Sequence, residues 1–415
     1  MAYIHGRFRY GVILAMGFVM IPANISRGVT QQEIEKIRSL TVLTDQHLES
    51  LKEYIAEQFR LILRANEPSE ASILTGDLLD ISKGKMTEES TAKLYSGCFA
   101  AAVKQYYPEI YNKGRQLSAN PDAKQGQLGN QLRLSAAVLL ASSDNTVVIE
   151  DMISLLDDDL TEVRYWAAKG LTGKNIKSDM AKSDTAAAMI NKVLDGLRRC
   201  LGKEEQGSVI AQIAAAADLP DQAAGGAIMQ ACAAKRLEQY RKWSVHNEWV
   251  DQEIILLMVD AAGSEKARQD EELRRGLIRS SANLYDAAYE RYSKGMLYKG
   301  PDGSEVVLLS AESQEALSTL LIEGEIVFIR IVNQITGSGR TGRFLPAMQG
   351  TNWKKMEAAY LALMGTDGAV NRAFDIYGSG GPLTLPEPPK DVVERAKTHA
   401  EVASKAKGRD IKPPK

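Results

Sequence analysis

A short pattern that occurs twice in the chain restricts its fold more than any other feature of the sequence. The segments NQLRLSAAVLLAS, from Asn130, and TEVRYWAAKGLTG, from Thr161, share the order apolar-Arg-x-x-Ala-Ala-x-x-Leu at an offset of 31 residues. Self-similarity at a period of this size indicates a repeat architecture, in which each unit buries its apolar face against the next. The sequence therefore predicts a stack of similar units.

The segment between the two copies, NTVVIEDMISLLDDD, carries apolar residues at the spacing of three and four that marks one face of a helix. The order is then second helix, first helix, second helix, as in stacked helical hairpins. A fainter third copy consists of TAAAMINKVLDGLRRCLG followed by GSVIAQIAAAADL, and GGAIMQACAAKRLEQY is the weakest match. Because the repeat lengths drift, we expect an irregular array.

The stretch DDDLTEVRYWAAKGL, residues 157–171, resembles the second-helix signature of HEAT-like repeat proteins, clearly over residues 130–173 and loosely over residues 183–240. The resemblance implies that the aspartates of the turn cap the following helix and bond an arginine of a neighbouring repeat, Arg164 or Arg133. It implies a fold and almost nothing about an activity. The residues of the repeat motif are Asp159, Val163, Arg164, Trp166, Ala167, Ala168 and Leu171.

We interpret this stretch as structural. An oxygen of Asp159 or Thr161 can satisfy free N–H groups at the helix start. The apolar residues are expected to face neighbouring helices, which predicts a loss of roughly 3–5 kcal/mol of stability for Trp166→Ala. A calcium loop is excluded because the sixth position lacks glycine and the twelfth, Ala168, has no oxygen in its side chain. The alternative is that Tyr165 or Trp166 lines a groove for a partner.

The predicted fold is all-α, an irregular α-solenoid of stacked HEAT-like helical hairpins with a small β-hairpin near residues 296–309. Aromatic residues are only 6% of the chain, while Ala and Leu dominate the periodic segments, which favours close-packed helices over sheets. The predicted parts are a signal peptide at 1–28, an N-terminal helical bundle at 29–120, HEAT-like repeats at 121–240, a C-terminal helical module with the hairpin at 241–377, and a Pro/Gly-rich linker with a polar, basic, solvated tail at 378–415.

Local signals refine the N-terminal part of this division. Two helices are expected over residues 30–66, the second capped by Thr44 or Asp45. A later, longer helix is expected to end or kink at Pro108, because proline lacks the N–H that a helix interior needs. The polar segment LSANPDAKQGQLGN, residues 117–130, predicts a loop and a boundary between modules.

The C-terminal module contains two further signals. The run MLYKGPDGSEVVLL has strand-forming residues on both sides of a Gly-Pro-Asp-Gly turn and predicts the β-hairpin. The stretch from Gly337 to Gly342 satisfies GxGxxG, but it follows a helical face that begins at the cap Ser310, and Pro346 lies where a following helix would run. We therefore expect a helix, buried on two sides, that stops at Gly337, and no nucleotide site.

Residues 1–28 have the layout of a secretory signal peptide, with two arginines ahead of an apolar run and a polar end. The uncharged run at residues 12–21 is too short for a bilayer, which takes about 20 residues. Export to the periplasm or the medium is therefore favoured over a permanent N-terminal membrane anchor. Cleavage is expected near Ala23 or Gly28.

Export would place Cys98, Cys200 and Cys232 in an oxidising compartment. Their Ala-rich helical context favours three buried, unpaired thiols, and a disulfide between Cys200 and Cys232 is the alternative. The sequence has no Cys/His cluster, nucleophile motif or phosphate loop, so no cofactor, metal or catalytic residue is predicted. A formal charge of −2 gives no indication of a nucleic-acid surface.

These observations favour a non-enzymatic scaffold or adaptor of the cell envelope that binds another protein through its helical-repeat surface. The alternative is an envelope enzyme or carbohydrate-binding protein whose site is assembled from distant segments. The candidates for such a site are Trp243, Trp249, Glu323 and Arg340. Arg340 and Arg343 are also candidates for binding an anion.

Overall fold

The computed structural model describes residues 29–182, 186–219, 222–296, 298–299, 303, 305–349, 352–378 and 380–407. The signal peptide predicted at residues 1–28 lies outside this part of the chain. The described residues form helices and their connections, with one two-stranded sheet, which confirms the all-α prediction. Among them, no helix is both long and apolar enough to cross a bilayer.

The first helices are α1 (Gln31–Ile37), α2 (Asp45–Arg64), α3 (Pro68–Ile81), α4 (Glu89–Ser118), α5 (Ala123–Ser142), α6 (Ile149–Leu155), α7 (Thr161–Gly170), α8 (Lys174–Lys182), α9 (Ala186–Lys203) and α10 (Gly207–Ala216). The remaining helices are α11 (Gln222–Arg241), α12 (Trp249–Ala262), α13 (Glu265–Gln269), α14 (Glu271–Met296), α15 (Ala311–Thr336), α16 (Phe344–Gln349), α17 (Trp353–Met364), α18 (Ala369–Phe374) and α19 (Lys390–Lys407). Strands β1 (Tyr298–Lys299) and β2 (Glu305–Val306) pair antiparallel and confirm the predicted hairpin.

Most of the helices form pairs that stack in two rows. The first row contains α2, α4, α6, α9, α11 and α14, and the second row contains α3, α5, α7, α10, α12 and α15. Within each row, every helix packs against the next one in the row. The contact between α4 and α6 is indirect: it is made through a 3-10 turn at Thr146–Val148 and through a hydrogen bond from the Tyr107 hydroxyl to Asp151. The stack therefore continues across the boundaries predicted near residues 120 and 240.

Small residues set the spacing between the rows. A Cβ added to Gly129 of α5 would lie 2.3 Å from the backbone nitrogen of Ser118 and 2.6 Å from the carbonyl oxygen of Gly114, both in α4. The alanine pairs of the repeat, Ala136 with Ala137 and Ala167 with Ala168, are buried in the same way. Close approach of the helix backbones explains why an Ala-rich, aromatic-poor sequence can fill this core.

One of the N-terminal predictions is wrong. Residues 117–130 are not a long loop, because α4 runs to Ser118 and α5 starts after Asp122. The Asp122 carboxylate accepts from the backbone nitrogens of Lys124 and Gln125 at 2.8 and 3.2 Å. The polar residues belong to the exposed first turns of α5. Helix α4 runs through Pro108, which excludes an end of the helix there and leaves the predicted kink as the other outcome. The Thr44 cap is confirmed, with its hydroxyl accepting from the His47 nitrogen at 3.3 Å.

The C-terminal module is partly as predicted. Ser310 caps α15, and Gly337 ends it in the left-handed conformation with a φ of 66°. The expectation of burial on two sides is wrong, because Ile326 is 53% exposed. The expectation of a solvated extension is wrong for part of the tail, since Leu385 and Val393 are buried.

The three cysteines, Cys98, Cys200 and Cys232, are buried and unpaired. Burial raises the pKa of the Cys200 thiol to about 11. This agrees with the expectation of thiols that act as small apolar side chains, and it gives no support to the alternative disulfide between Cys200 and Cys232.

Candidate functional site

The aspartates of residues 157–171 hold neighbouring helices together. The Asp158 side chain is fully buried and accepts from the backbone nitrogen of Leu160 at 2.7 Å, from the Tyr111 hydroxyl and from the Arg133 guanidinium. Arg133 also pairs with Asp159. The N-cap residue of α7 is Leu160, so the prediction that Asp159 or Thr161 caps this helix is wrong. The carboxylate of Asp158, one repeat unit away from Arg133, stabilises the turn instead.

The same arrangement occurs one unit further along the stack. The Arg164 guanidinium donates to the Glu204 carboxylate at 2.6 Å, and this hydrogen bond raises the pKa of Arg164. Glu204 is buried and also accepts from the backbone nitrogens of Glu205 and Gln206 at 3.0 and 2.9 Å. In both units, an arginine of one second-row helix binds the acid that begins the next. Arg164 is therefore a structural residue.

A third buried pair was not predicted from the sequence. Arg236 of α11 donates to both carboxylate oxygens of Asp251 in α12, at 2.6 and 2.9 Å, and the Tyr240 hydroxyl donates to the same group at 2.8 Å. Both side chains of the pair are at most 1% exposed. A Cβ on Gly207 would lie 2.6 Å from the guanidinium, so the glycine makes room for it. Arg236 was missed because its partner is 15 positions away, on the next helix.

One group of aromatic and charged side chains on the second row remains partly accessible. The Lys169 ammonium lies 4.5 Å from the centroid of the Trp166 ring and 5.6 Å from that of Tyr165, and the two rings meet edge to face at 5.7 Å. Glu253 of α12 interacts electrostatically with Lys169, and Trp249 lies one turn before it. We call Tyr165, Trp166, Lys169, Trp249 and Glu253 the aromatic face.

The charges of the aromatic face are coupled. Burial raises the pKa of the Glu253 carboxyl, and the positive charge of Lys169 acts in the opposite direction. Helix α10 packs against both α7 and α12, so the face spans three consecutive second-row helices. Tyr165, Trp166 and Trp249 are each half-buried and pack against the core, which holds the rings in fixed positions.

Trp166 is only half-buried, so the expectation that its ring is fully buried is wrong. The other apolar residues of the repeat motif are buried as predicted: Val163, Ala167, Ala168 and Leu171. We now expect Trp166→Ala to lower the free energy of unfolding by roughly 1–2 kcal/mol, since only part of the ring area is removed from water. Leu171→Ala is the control and should cost about 2–5 kcal/mol. Chemical denaturation of both variants checks this, and equal losses would contradict it.

Trp243 is not available as a platform for a sugar or peptide ring. It is 5% exposed, and its indole nitrogen donates to the carbonyl oxygen of Pro386 at 3.0 Å. The guanidinium carbon of Arg291 lies 5.4 Å from its ring centroid. Trp243 therefore cannot contribute to the composite site predicted from Trp243, Trp249, Glu323 and Arg340. Glu323 is an exposed residue of α15.

Arg340 and Arg343 lie beside a cavity of about 210 Å³ that Glu325 also lines. The buried Glu325 carboxylate accepts from the backbone nitrogens of Arg343 and Phe344, both at 2.9 Å. Helix α16 follows the glycines, so the expectation based on Pro346 that no helix runs there is wrong. The Glu325 carboxylate, however, already occupies the position at the start of α16 that an anion would take. This arrangement disfavours a nucleotide or another anion.

A second buried carboxylate has no cationic partner in the part of the chain that the structure describes. Asp286 of α14 is 0% exposed and accepts from the hydroxyls of Tyr360 and Tyr377 at 2.9 and 2.8 Å and from the backbone nitrogen of Leu383 at 3.0 Å. Burial raises the pKa of Asp286 to about 7. The donors come from 74 to 97 positions away, so no local sequence pattern could have shown this cluster.

The Asp158, Asp251 and Asp286 carboxylates are buried, and each accepts hydrogen bonds from neighbouring parts of the fold, so they act as structural groups. Within the described ranges there is also no cluster of three or more His, Cys, Asp or Glu side chains that could hold a metal ion. Comparisons with models of protein families, with curated proteins and with solved structures give no match. The geometry alone therefore has to support a function.

Proposed function

We propose that the protein is a non-enzymatic adaptor that binds another protein through the aromatic face. The observation that supports this most directly is the partly accessible pair of Tyr165 and Trp166 with Lys169 stacked against it. Aromatic residues are enriched at the centres of protein interfaces, where they contribute large contact areas. Rings already held by the core lose little conformational freedom on binding, which favours affinity.

We also propose that the two rows of helices form a HEAT-like solenoid. The pairs Arg133–Asp158 and Arg164–Glu204 support this, because equivalent contacts recur at successive turns. In such a stack each unit contacts mainly its neighbours, and the second row offers one long surface to a partner. The aromatic face lies on that surface.

Affinity capture with the chain lacking residues 1–28 tests the adaptor function. Immobilised wild type and the double variant Tyr165→Ala/Trp166→Ala are exposed to envelope extract, and bound proteins and glycans are both identified. We expect a defined protein to bind the wild type and to be depleted at least tenfold on the double variant. Leu361→Ala, which changes an exposed apolar residue of α17, is the control and should bind normally.

Two outcomes would contradict the proposal. If the same partner binds wild type and double variant equally, the aromatic face is not its site. If a glycan binds and no protein does, the alternative of a carbohydrate-binding protein is favoured. Circular dichroism of each variant establishes that a loss of binding does not come from a loss of the helical structure.

Export is part of the proposed function, and it makes a separate prediction. Cleavage after Ala23 or Gly28 should give a shortened mature chain that is recovered outside the cytosol. Mass spectrometry of the N-terminal peptide, combined with cell fractionation, checks this. Protein recovered from the cytosol with Met1 in place would contradict it, and replacing the apolar residues 12–21 with polar ones should block export.

A further inference from the structure

Residues 382–389, which we call the C-terminal strap, form neither helix nor strand. Their sequence, PLTLPEPP, contains four prolines. Proline fixes its own φ near −65° and biases the preceding residue towards extended conformations, so this sequence favours a polyproline helix. Leu385 and Pro388 are buried, whereas Thr384, Pro386 and Glu387 are exposed. The strap therefore has alternating anchored and accessible side chains.

Side chains of α14 bind the backbone of the strap. The Leu383 nitrogen donates to Asp286 at 3.0 Å, and the Leu385 nitrogen donates to Glu290 at 3.4 Å. The Leu385 carbonyl oxygen accepts from the Lys294 ammonium at 2.6 Å. These three α14 residues are spaced four apart, which is a rise of about 6 Å per step. Two residues of a polyproline helix advance about 6.2 Å, so the step from Asp286 to Glu290 matches the step from Leu383 to Leu385, while Lys294 binds the carbonyl end of Leu385.

Trp243 completes the contacts to the strap. Its indole nitrogen donates to the Pro386 carbonyl oxygen, and Arg291 supports its ring. Its φ of 55° lies in the left-handed region, which is uncommon for a bulky residue. Proline-rich segments are commonly bound in aromatic-lined grooves, where their extended backbone costs little entropy to order.

We infer that Trp243, Asp286, Glu290 and Lys294 form a binding site for extended proline-rich segments, which the strap fills as an internal ligand. The site recognises the peptide backbone together with one buried leucine that precedes a proline. A partner protein that carries a Leu-Pro-x-Pro-Pro segment can bind there when the strap detaches. This site shares no residue with the aromatic face, so it does not depend on the proposed function.

A cut chain provides the test. A specific protease site inserted between the exposed residues Gly380 and Gly381 lets the strap be released from an otherwise complete chain. A fluorescein-labelled peptide of residues 381–397 is added in excess, exchange is allowed to reach equilibrium, and binding is followed by anisotropy. The uncut chain is the control, because its attached strap competes at a high effective concentration.

We expect the peptide to bind the cut chain at least tenfold more tightly than the uncut chain. Leu385→Ala in the peptide should weaken binding at least tenfold because it removes the buried anchor, whereas Thr384→Ala, at an exposed position, should have little effect. Trp243→Phe in the protein should weaken binding several-fold through loss of the indole donor. The two substitutions in the peptide, Leu385→Ala and Thr384→Ala, leave the protein itself unchanged.

Failure of the peptide to bind the cut chain would overturn the inference, as would binding that is insensitive to Leu385→Ala. If cutting removes the helical circular dichroism signal, the same peptide is offered to the uncut Leu385→Ala chain, in which the internal strap is weakened. Absence of binding to that chain would overturn the inference equally.

Discussion

Replacing Arg236 with methionine is expected to lower the free energy of unfolding by about 3–5 kcal/mol, because it leaves the Asp251 carboxylate buried without its partner. Burial raises the pKa of Asp251, and the adjacent Arg236 charge opposes that rise. Without the guanidinium, Asp251 must either be protonated or remain charged in an apolar environment, and each alternative destabilises the fold. Chemical denaturation at pH 7 measures the loss.

Arg330→Met is a matched control for this prediction. Arg330 pairs with Asp260, but both side chains are 56% exposed. Exposed pairs contribute less than about 1 kcal/mol, so this variant should be nearly as stable as the wild type. The double variant Arg236→Met/Asp251→Leu should recover much of the loss, since it removes both charges. Similar losses for Arg236→Met and Arg330→Met would show that burial of the pair contributes little.

The repeat helices could be predicted because their signal is local. The apolar-Arg-x-x-Ala-Ala-x-x-Leu pattern places Ala136 and Ala167 on the buried face of each helix, whatever lies on the other side. The length of the connection between α4 and α5, in contrast, could not be predicted from the polarity of its sequence. The polar residues of the segment 117–130 lie in the short turn between α4 and α5 or near the ends of these helices, and the turn itself takes only residues 119–122.

The strap and the buried clusters depend on contacts that the sequence does not show. Trp243 and Pro386 are 143 positions apart, and neither stands in a recognisable motif. A proline-rich segment without a core of its own is expected to be solvated, unless another part of the chain binds its backbone. Here α14 does so, with three polar residues that look like ordinary surface residues in the sequence. The partners of Asp286 could not be predicted for the same reason, since they are also far away in the sequence.

Asp286 leads to a prediction about pH. Its pKa is about 7 in the folded chain and 3.8 in the reference state, so between these values the folded state holds a proton that the unfolded state releases. Stability contributed by this group is therefore complete below pH 3.8 and is lost as the pH rises to about 7. At about 1.4 kcal/mol per pKa unit, the loss is roughly 4 kcal/mol.

The comparison of wild type with Asp286→Asn isolates this contribution. Other carboxylates act in the opposite direction, for example Asp157, whose pKa is lowered by Lys203 and Arg199 in spite of partial burial. They are present in both proteins, so they cancel in the difference. We expect the free energy of unfolding of the wild type, relative to Asp286→Asn, to fall by roughly 3–4 kcal/mol between pH 4 and pH 7 and to become constant above about pH 8.

The groups around Asp286 decide whether this difference appears. Glu290, one turn along α14, raises the pKa further, whereas Tyr360, Tyr377 and the Leu383 nitrogen lower it by donating to the carboxylate. Lys294 pairs with Glu290 at 3.2 Å and so weakens the repulsion between the two acids. A difference that does not change between pH 4 and pH 7 would mean that the three donors stabilise the ionised form fully. In that case the Leu383 amide should be equally protected from hydrogen exchange at both pH values, whereas a protonated Asp286 accepts more weakly and leaves that amide less protected at pH 4.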